Sequence, residues 1–372
     1  AANLTSFCRD CRVSVGHQHP RKYGAGVSWR RWYRIAIIIF AERIGLAPSF
    51  AYLARDTLCR RHFRVGFRQS TRCDHLNMSE AFATYERVRH RLPLVQRDAG
   101  CQRLPNLDAI ADEIDVFLLD AFGVLNIGET SIPGVPERVA RLQKAGKRVM
   151  VVSNAAGYPH AELMNKYARL GYDFATEDII TSRKTILDAL QSEAPRKWGL
   201  MATEHLGRSD LELLDITYLG EDLRSYDAAE AFLLLGSAFW TEDRQALLVS
   251  SLERNPRPVY VGNPDIVAPR EKGFSIEPGS FAHRLAESTG VEPKFFGKPF
   301  RNIFDLAFSR LGTFDPARTV MVGDSLHTDI LGGQAAGVKT ALIAGYGFFA
   351  GNDVEAPIAL SGIQPDYILQ RP

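Results

Sequence analysis

The sequence predicts an α/β protein built on a doubly wound parallel sheet. From about residue 114 onward, short apolar runs alternate with segments of helical periodicity, which is the pattern of repeated strand-helix-strand units. The apolar runs, such as Val116–Leu119, lack the alternation of a half-exposed strand, so they indicate strands covered on both faces. Polar residues follow several of these runs directly, at the position where the loops of such a sheet converge and bind ligands.

The predicted elements follow one another in a regular order. Val116–Leu119 is the first core strand, and it ends at Asp120 and the turn-like Ala121-Phe122-Gly123. A helix that opens at Pro133-Gly134 runs to about residue 144, the next strand covers 148–152, and a second helix covers about 159–170. Near the C-terminus the pattern predicts a strand over 319–322, a helix over about 328–336 and a strand over Lys339–Ile343.

Composition divides the chain into two parts. The 372 residues are 45% hydrophobic and 24% charged, which excludes disordered and collagen-like classes and fits roughly two to three domains. Residues 1–77 hold 13 arginines and one lysine against four acidic residues, a net charge of +10, so the remainder carries −8. Four of the five cysteines also lie in 1–77. The two parts are therefore interpreted separately.

The segment 1–77 is interpreted as an extension outside the folded protein. Its apolar run over 35–41 is far shorter than the roughly 20 residues that span a membrane. A targeting peptide, a zinc site at the Cys-x-x-Cys of 8–11 and nucleic-acid binding by the arginines are alternatives, but each lacks its usual spacing or flanking pattern. Because the composition becomes that of an ordinary enzyme from Met78, we expect an over-extended reading frame or a disordered, basic extension.

The rest of the chain is expected to need no disulfide and to bind neither membranes nor nucleic acid. Cys101 is its single cysteine, so it needs no disulfide framework and suits a reducing cytoplasm. We expect no membrane partner and no nucleic-acid partner, because no membrane-length apolar run and no known nucleic-acid module is present. A homo-oligomer stays open.

Three polar residues occupy the ends of predicted strands: Asp120, Ser153 and Asp324. Each alone is most often a turn residue or a helix cap, so none identifies a site by itself. In a parallel sheet, however, the carboxyl ends of neighbouring strands meet at one edge. The three residues together therefore indicate a ligand site at that edge.

These residues fit phosphoryl transfer through an aspartate. That reaction needs a carboxylate nucleophile, a hydroxyl or amide that holds phosphoryl oxygens, a fixed cation and a metal on further carboxylates. Asp120 can supply the nucleophile and Ser153 the hydroxyl. Lys298, in a Gly-Lys-Pro that follows an apolar strand and precedes a helix, can supply the cation. Asp324 and Asp329 offer the oxygen ligands that Mg²⁺ prefers.

The order of the motifs resembles that of the haloacid dehalogenase superfamily. The chain carries DAFGVL at 120–125, SN at 153–154, GKP at 297–299 and GDSLHTD at 323–329. This order is similar to the class IIA branch, which includes NagD-type sugar phosphatases and 4-nitrophenyl, phosphoglycolate and pyridoxal phosphate phosphatases. The resemblance covers about residues 114–350.

The resemblance implies a role for each motif. Asp120 would form an aspartyl-phosphate, and Ser153 and Lys298 would hold the phosphoryl group. Asp324 would bind Mg²⁺, and Asp329 would support the metal through water or a second-shell bond. The expected enzyme is therefore a Mg²⁺-dependent phosphatase acting on a small phosphorylated metabolite, such as a sugar phosphate.

The resemblance also implies an inserted α/β cap domain. The expected domains are a lead-in over 78–113, a haloacid dehalogenase-like core over 114–192 and 274–372, and the cap over 193–273. Within the cap, strands are expected over Lys197–Met201, 231–235 and 258–261, with a helix over 242–252. Asn154, Asn263 and Asp265 are expected to contact the substrate or its phosphate, although a plain turn is the alternative for Asn263 and Asp265.

Phe122 departs from the family pattern. Most phosphatases of the superfamily carry a second aspartate at this position, where it moves a proton, and the metal uses the backbone carbonyl. The Phe122 carbonyl can still bind the metal, but loss of a general acid and base typically costs about 10²–10⁴-fold in rate. The alternative function is therefore a catalytically weak or inactive phosphate-ester binding or regulatory protein. His327 is the nearest candidate for a replacement base along the sequence, but helix capping or surface exposure is the favoured interpretation of this residue.

Overall fold

The computed structural model describes residues 76–95, 100–206, 208–270 and 273–372. The predicted extension 1–77 therefore lies outside the described residues, apart from its last two positions. Both of these contact the fold: Leu76 pairs with Phe274 in an antiparallel bridge, and the Asn77 side chain accepts a hydrogen bond from the Glu80 amide. Glu80 accepts from the Asn77 amide in return, which completes a capping box. The folded part thus begins before the boundary that composition suggests.

The α-helices lie, in chain order, at α1 (Met78–Arg87), α2 (Val135–Lys144), α3 (His160–Arg169), α4 (Ser182–Leu190), α5 (Leu223–Asp227), α6 (Glu242–Arg254), α7 (Pro278–Thr289), α8 (Arg301–Ser309), α9 (Leu331–Ala336) and α10 (Glu355–Ser361). Short 3-10 segments cover Arg89–Arg91, Leu107–Ile110, Thr176–Asp178, Glu204–Leu206, Pro316–Arg318 and Gly347–Phe349, and a π-helix covers Leu326–Ile330. None of the helices in the described ranges is long and apolar enough to cross a membrane.

The strands are β1 (Gln102–Leu104), β2 (Val116–Leu119), β3 (Asn126–Ile127), β4 (Thr130–Ser131), β5 (Arg148–Ser153), β6 (Ile179–Thr181), β7 (Lys197–Met201), β8 (Asp215–Tyr218), β9 (Ala231–Leu234), β10 (Val259–Val261), β11 (Val267–Pro269), β12 (Phe274–Ile276), β13 (Lys294–Phe295), β14 (Thr319–Gly323), β15 (Lys339–Ile343) and β16 (Tyr367–Leu369). β3 with β4 and β11 with β12 form small antiparallel ladders.

Seven of the described strands form one parallel sheet, in the order β1-β16-β15-β14-β2-β5-β6. β2 lies between β14 and β5, with Leu118 opposite Met321 on one side and Met150 on the other. At one edge, β1 runs along the outer side of β16. The carboxyl ends of β14, β2 and β5 are therefore neighbours.

Helices cover both faces of this sheet. Phe117 on β2 packs in a cluster with residues of α2 and α3, whereas Leu118 packs in the opposite cluster with Phe304 of α8 and Ala336 of α9. Successive side chains of a strand point to opposite faces, which explains why all four residues of β2 are apolar and buried. The predicted doubly wound α/β fold is confirmed.

A second parallel sheet has the order β13-β10-β9-β7-β8. Its helices α6 and α7 bury Leu248 and Phe281 in a cluster with Phe232 of β9. The sequence places the return to the core at residue 274, but this sheet extends to β13 at its C-terminal end. The apolar face of α7 packs against the second sheet, and composition alone did not predict this packing.

Candidate active site

Asp120 follows the last residue of β2, at the carboxyl edge of the main sheet. Its backbone amide donates to the Val322 carbonyl at 2.9 Å, which extends the pairing of β2 with β14 by one residue. Ser153 ends β5, the neighbour of β2 on the other side, and Asp324 follows the end of β14. The three predicted strand-end residues therefore lie on adjacent strands at one edge.

The Lys298 ammonium group lies between two carboxylates. Its Nζ is 2.7 Å from Asp120 Oδ1 and 2.7 Å from Asp329 Oδ1, and only 2% of the lysine side chain is exposed. Burial lowers the pKa of a lysine, but the two carboxylates outweigh that effect and raise the pKa of Lys298 above its ordinary value. The ammonium group therefore stays charged at neutral pH.

Asn154 holds Lys298 through its backbone. The Asn154 side-chain oxygen accepts from the Lys298 amide at 2.8 Å, and the side-chain nitrogen donates to the Lys298 carbonyl at 2.9 Å. The same nitrogen donates to Asp265 Oδ1 at 2.7 Å. Asn154 thus links the end of β5 to the Gly-Lys-Pro loop and to Asp265, while binding of phosphate by its side chain stays a prediction.

Asp324 and Asp329 form a cluster of carboxylates with Asp120. One oxygen from each of the three side chains lies within 4.8 Å of the others. Asp329 belongs to the π-helix Leu326–Ile330, a widened turn of the kind that often occurs at functional sites. The sequence predicts an ordinary helix over about 328–336, whereas the structure has this π-helix first and the short α9 after it.

Two glycines make room for the Asp324 carboxyl group. A Cβ placed on Gly123 would lie 2.6 Å from Asp324 Oδ2, and a Cβ placed on Gly347 would overlap the same atom. Both glycines have positive φ, at 74° and 71°. The Phe348 amide donates to Asp324 Oδ2 at 2.7 Å. Gly347 and Phe348 were not predicted from the sequence, although they follow β15, the neighbour of β14, at the same edge.

The cluster has the charge and the donor atoms for a divalent cation. Burial, together with Asp329 and Asp120, raises the pKa of Asp324 well above its ordinary value. Burial also raises the pKa of Asp329 to about 6, although Lys298 opposes the shift. When all three carboxyls are ionised, they and Lys298 carry a net charge of −2, which a divalent cation would neutralise. Carboxylate oxygens are the ligands that Mg²⁺ prefers.

Phe122 lies in the turn that follows Asp120. It pairs with Asn126 in a bridge, and the Gly123 amide donates to the Asn126 carbonyl at 2.9 Å. Because Gly123 packs against Asp324, this turn runs alongside the carboxylates. The aromatic side chain has no proton to transfer. Metal binding by the Phe122 carbonyl stays a prediction.

Asn263 and Asp265 lie in the loop after β10. Asn263 Oδ1 accepts from the Asp265 amide at 3.0 Å, and its Nδ2 donates to Glu277 at 3.2 Å, so both polar ends of Asn263 shape the loop. Burial raises the pKa of Asp265 to about 8, and the negative charges of Asp120 and Glu277 raise it further. The hydrogen bond from Asn154 and the charge of Lys298 lower this pKa, but they do not outweigh burial. Asp265 is therefore a carboxyl beside this edge that titrates near neutral pH.

His327 contacts helix α1. Only 1% of its side chain is exposed, its Nε2 lies 2.5 Å from Glu86 Oε1, and its ring stacks on Tyr85 with 4.9 Å between centroids. Burial lowers the pKa of His327 despite the nearby carboxylate. The expectation of surface exposure for His327 is therefore wrong, and these contacts give the candidate role of replacement base no support.

The chain is similar to known families and to known proteins. A family model described as haloacid dehalogenase-like hydrolase matches residues 117–216, and a HAD-hydrolase-like model matches residues 295–371. Human chronophin is 31% identical over 268 residues, and the match covers 66% of this chain and 86% of chronophin. The chain belongs to the haloacid dehalogenase superfamily.

This haloacid dehalogenase-type hydrolase is also similar to chloroplastic phosphoglycolate phosphatase 1A of Arabidopsis thaliana. The two are 29% identical over 293 residues, which cover 74% of this chain and 80% of the plant protein. The solved structure of p-nitrophenyl phosphatase from Archaeoglobus fulgidus superposes with a TM-score of 0.59 at 25% identity, covering 69% of this chain and 96% of that chain. The predicted class IIA membership is confirmed, and the chain is a phosphoric monoester hydrolase.

Proposed function

We propose that this hydrolase is a Mg²⁺-dependent phosphatase that acts on a small phosphorylated metabolite through an aspartyl-phosphate. The contact of the buried Lys298 with both Asp120 and Asp329 carries the proposal, because it joins a cation, a strand-end carboxylate and the acidic cluster at one edge. Fixed charges of both signs in a largely water-free site are what the transfer of a doubly charged phosphoryl group requires.

Asp120 is the proposed nucleophile. One of its carboxylate oxygens attacks phosphorus, the bond from phosphorus to the leaving-group oxygen breaks, and that oxygen takes a proton. Water then attacks the aspartyl-phosphate, which releases inorganic phosphate and restores the carboxylate. Lys298 by its charge, and the Ser153 hydroxyl by hydrogen bonding, hold the phosphoryl oxygens in both steps.

The proposed metal ligands are Asp120, Asp324 and the Phe122 carbonyl, with Asp329 supporting the ion directly or through water. When bound, Mg²⁺ offsets the negative charge of the phosphoryl oxygens. Asp324 is held in position for this role, because its Oδ2 packs against Gly123 and accepts a hydrogen bond from the Phe348 amide. A rigid carboxylate loses little freedom when it binds an ion.

Asp265 is the proposed proton-transfer group in place of the aspartate that Phe122 replaces. Its carboxyl is bonded to Asn154, the same side chain that holds the Lys298 backbone. With a pKa of about 8, Asp265 is largely protonated at neutral pH. It can donate that proton to the leaving group and then accept one from the attacking water.

The substrate proposed is a small phosphate ester, and residues of the second sheet are proposed to select its leaving group. The relatives named for phosphoglycolate and p-nitrophenyl phosphate are phosphatases by name, which favours an active enzyme over the phosphate-ester binding or regulatory protein. A cap that closes over the site would exclude water from the transferred group. Oligomeric state and the cytoplasmic location stay predictions.

The proposal is tested by turnover of 4-nitrophenyl phosphate with Mg²⁺ and with a chelator. We expect metal-dependent release of phosphate by the native enzyme and none above background by Asp120→Asn. Asp188→Asn, an exposed aspartate on α4, is the matched control and should keep native activity. Unchanged turnover in Asp120→Asn would contradict the mechanism. A panel of phosphorylated sugars, glycolate and vitamin phosphates then identifies the substrate class.

A further inference from the structure

The helix α1 lies outside both segments that match the family models, yet it packs against the site. The matched segments are 117–216 and 295–371, whereas α1 covers Met78–Arg87. Its buried residues Phe82 and Tyr85 belong to an apolar cluster that also contains residues of the π-helix and of the loop after β10. The helix therefore contacts the π-helix that carries Asp329 and the loop that carries Asp265.

Three residues on one face of α1 bind the ring of His327. Tyr85 stacks on it with an interplanar angle of 10° and 4.9 Å between centroids, and Phe82 meets it edge-on at 5.3 Å. Glu86 Oε1 lies 2.5 Å from His327 Nε2. Positions 82, 85 and 86 are spaced by three and four residues, so they share one side of the helix. The ring is thus held on its face, its edge and its nitrogen.

Tyr85 also binds the second loop. Its hydroxyl oxygen accepts a hydrogen bond from the Ile266 amide at 3.2 Å, and Ile266 directly follows Asp265. The Tyr85 side chain is only 3% exposed. One fully packed residue therefore contacts both the π-helix that carries Asp329 and the loop that carries Asp265.

The position of His327 in the chain makes this contact relevant to metal binding. His327 lies between Asp324 and Asp329 in the chain and belongs to the same π-helix as Asp329. We propose that Glu86 and Tyr85 are positioning residues of the active site, which hold the metal-ligand segment in its binding geometry through His327. This inference rests on the metal site of the proposed function.

The test compares Glu86→Ala with Glu86→Gln. Glutamine keeps an oxygen that accepts from the His327 ring, whereas alanine does not. We expect Glu86→Ala to bind Mn²⁺ or Mg²⁺ about 10–100-fold more weakly, as residues that orient metal ligands do, and Glu86→Gln to recover most of the affinity. Calorimetric titration of the metal without substrate measures this affinity directly. Arg87→Ala, an exposed neighbour on the same helix, is the control and should bind metal normally.

Tyr85→Phe provides a second measurement, because it keeps the ring stack and removes the hydrogen bond to Ile266. Its metal affinity should equal that of the native protein, while the alkyl phosphate turnover that depends on Asp265 should fall. A melting temperature recorded for each variant shows that it is folded. Native metal affinity in folded Glu86→Ala would overturn the inference, as would equal weakening in Glu86→Gln and Glu86→Ala. Failure of the native protein to bind metal or to turn over substrate would instead overturn the proposed function.

Discussion

Replacing Asp265 with asparagine should separate substrates by their need for a proton on the leaving group. The variant Asp265→Asn keeps the size of the side chain and an oxygen for the bond from Asn154, but it is no longer an acid. An alkyl phosphate such as glycerol phosphate releases a strongly basic alkoxide, so its cleavage should slow by about 10²–10⁴-fold. Nitrophenolate is stable without a proton, so kcat/KM for 4-nitrophenyl phosphate, which covers the steps up to the aspartyl-phosphate and not its hydrolysis, should fall less than about tenfold.

The pKa of Asp265 sets the size of the pH effect in the native enzyme. With a pKa of about 8, the carboxyl is about 90% protonated at pH 7 and about 10% protonated at pH 9. Because the acid must be protonated to donate, kcat/KM for an alkyl phosphate should fall about tenfold between these values. In Asp265→Asn, kcat/KM should not fall between pH 7 and pH 9 in this way, since residue 265 has no proton to donate at either pH.

Steady-state kinetics on both substrates from pH 6 to 10, at saturating Mg²⁺, measure these effects. Adding Phe122→Asp to Asp265→Asn should restore alkyl phosphate cleavage, because it returns an acid to the position where the family carries one. Phe122→Asp alone should also raise hydrolysis. An equal loss of kcat/KM on both substrates, with the alkaline fall in kcat/KM retained in Asp265→Asn, would refute the role of Asp265 as the acid.

Three further changes probe the parts of the site. Gly347→Ala places a Cβ against Asp324 Oδ2 and should weaken metal binding. Gly351→Ala is the control, because Gly351 has a similar positive φ of 75° but lies in open space, and it should bind metal normally. Equal metal affinities of the two variants in calorimetry would contradict the packing explanation. Lys298→Met leaves the buried Asp329 carboxylate without its cation and should lower the free energy of unfolding by about 3–5 kcal/mol at pH 7. The loss should be smaller near pH 4, because the pKa of Asp329 is about 6 and its carboxyl is then largely uncharged. Urea denaturation at both pH values measures this, and native stability at pH 7 would be the contrary result. Asn77→Ala removes the cap of α1 and should cost about 0.5–2 kcal/mol in the same assay; no change would mean that the capping box contributes nothing.

The strand-end residues could be predicted because local sequence contains the necessary signal. An apolar run followed by Asp120, and another followed by Asp324, defines both a buried parallel strand and the edge at which it ends. The relative position of the strands then follows from the fold class. Their convergence with Lys298 needed the motif order as well, since a Gly-Lys-Pro by itself resembles a surface turn.

The supporting contacts could not be predicted because they join distant parts of the chain. Asn154 and Asp265 are 111 residues apart, and Glu86 and His327 are 241 residues apart. No local periodicity records such pairs. The π-helix was missed for a different reason: its residues have ordinary helical propensities, so a widened turn cannot be distinguished from an α-helix by pattern. The two-residue strand β13 is likewise too short for a periodicity.

The short strand β1 protects the chain from pairing with other molecules. It occupies the outer side of β16, all of whose residues are buried, while two of its own three residues face solvent. A fragment trimmed to residue 117, where the first family match begins, would expose Tyr367–Leu369 as an apolar row with unpaired backbone groups. Such an edge recruits further strands and promotes aggregation. Expression fragments of this hydrolase should therefore start ahead of α1.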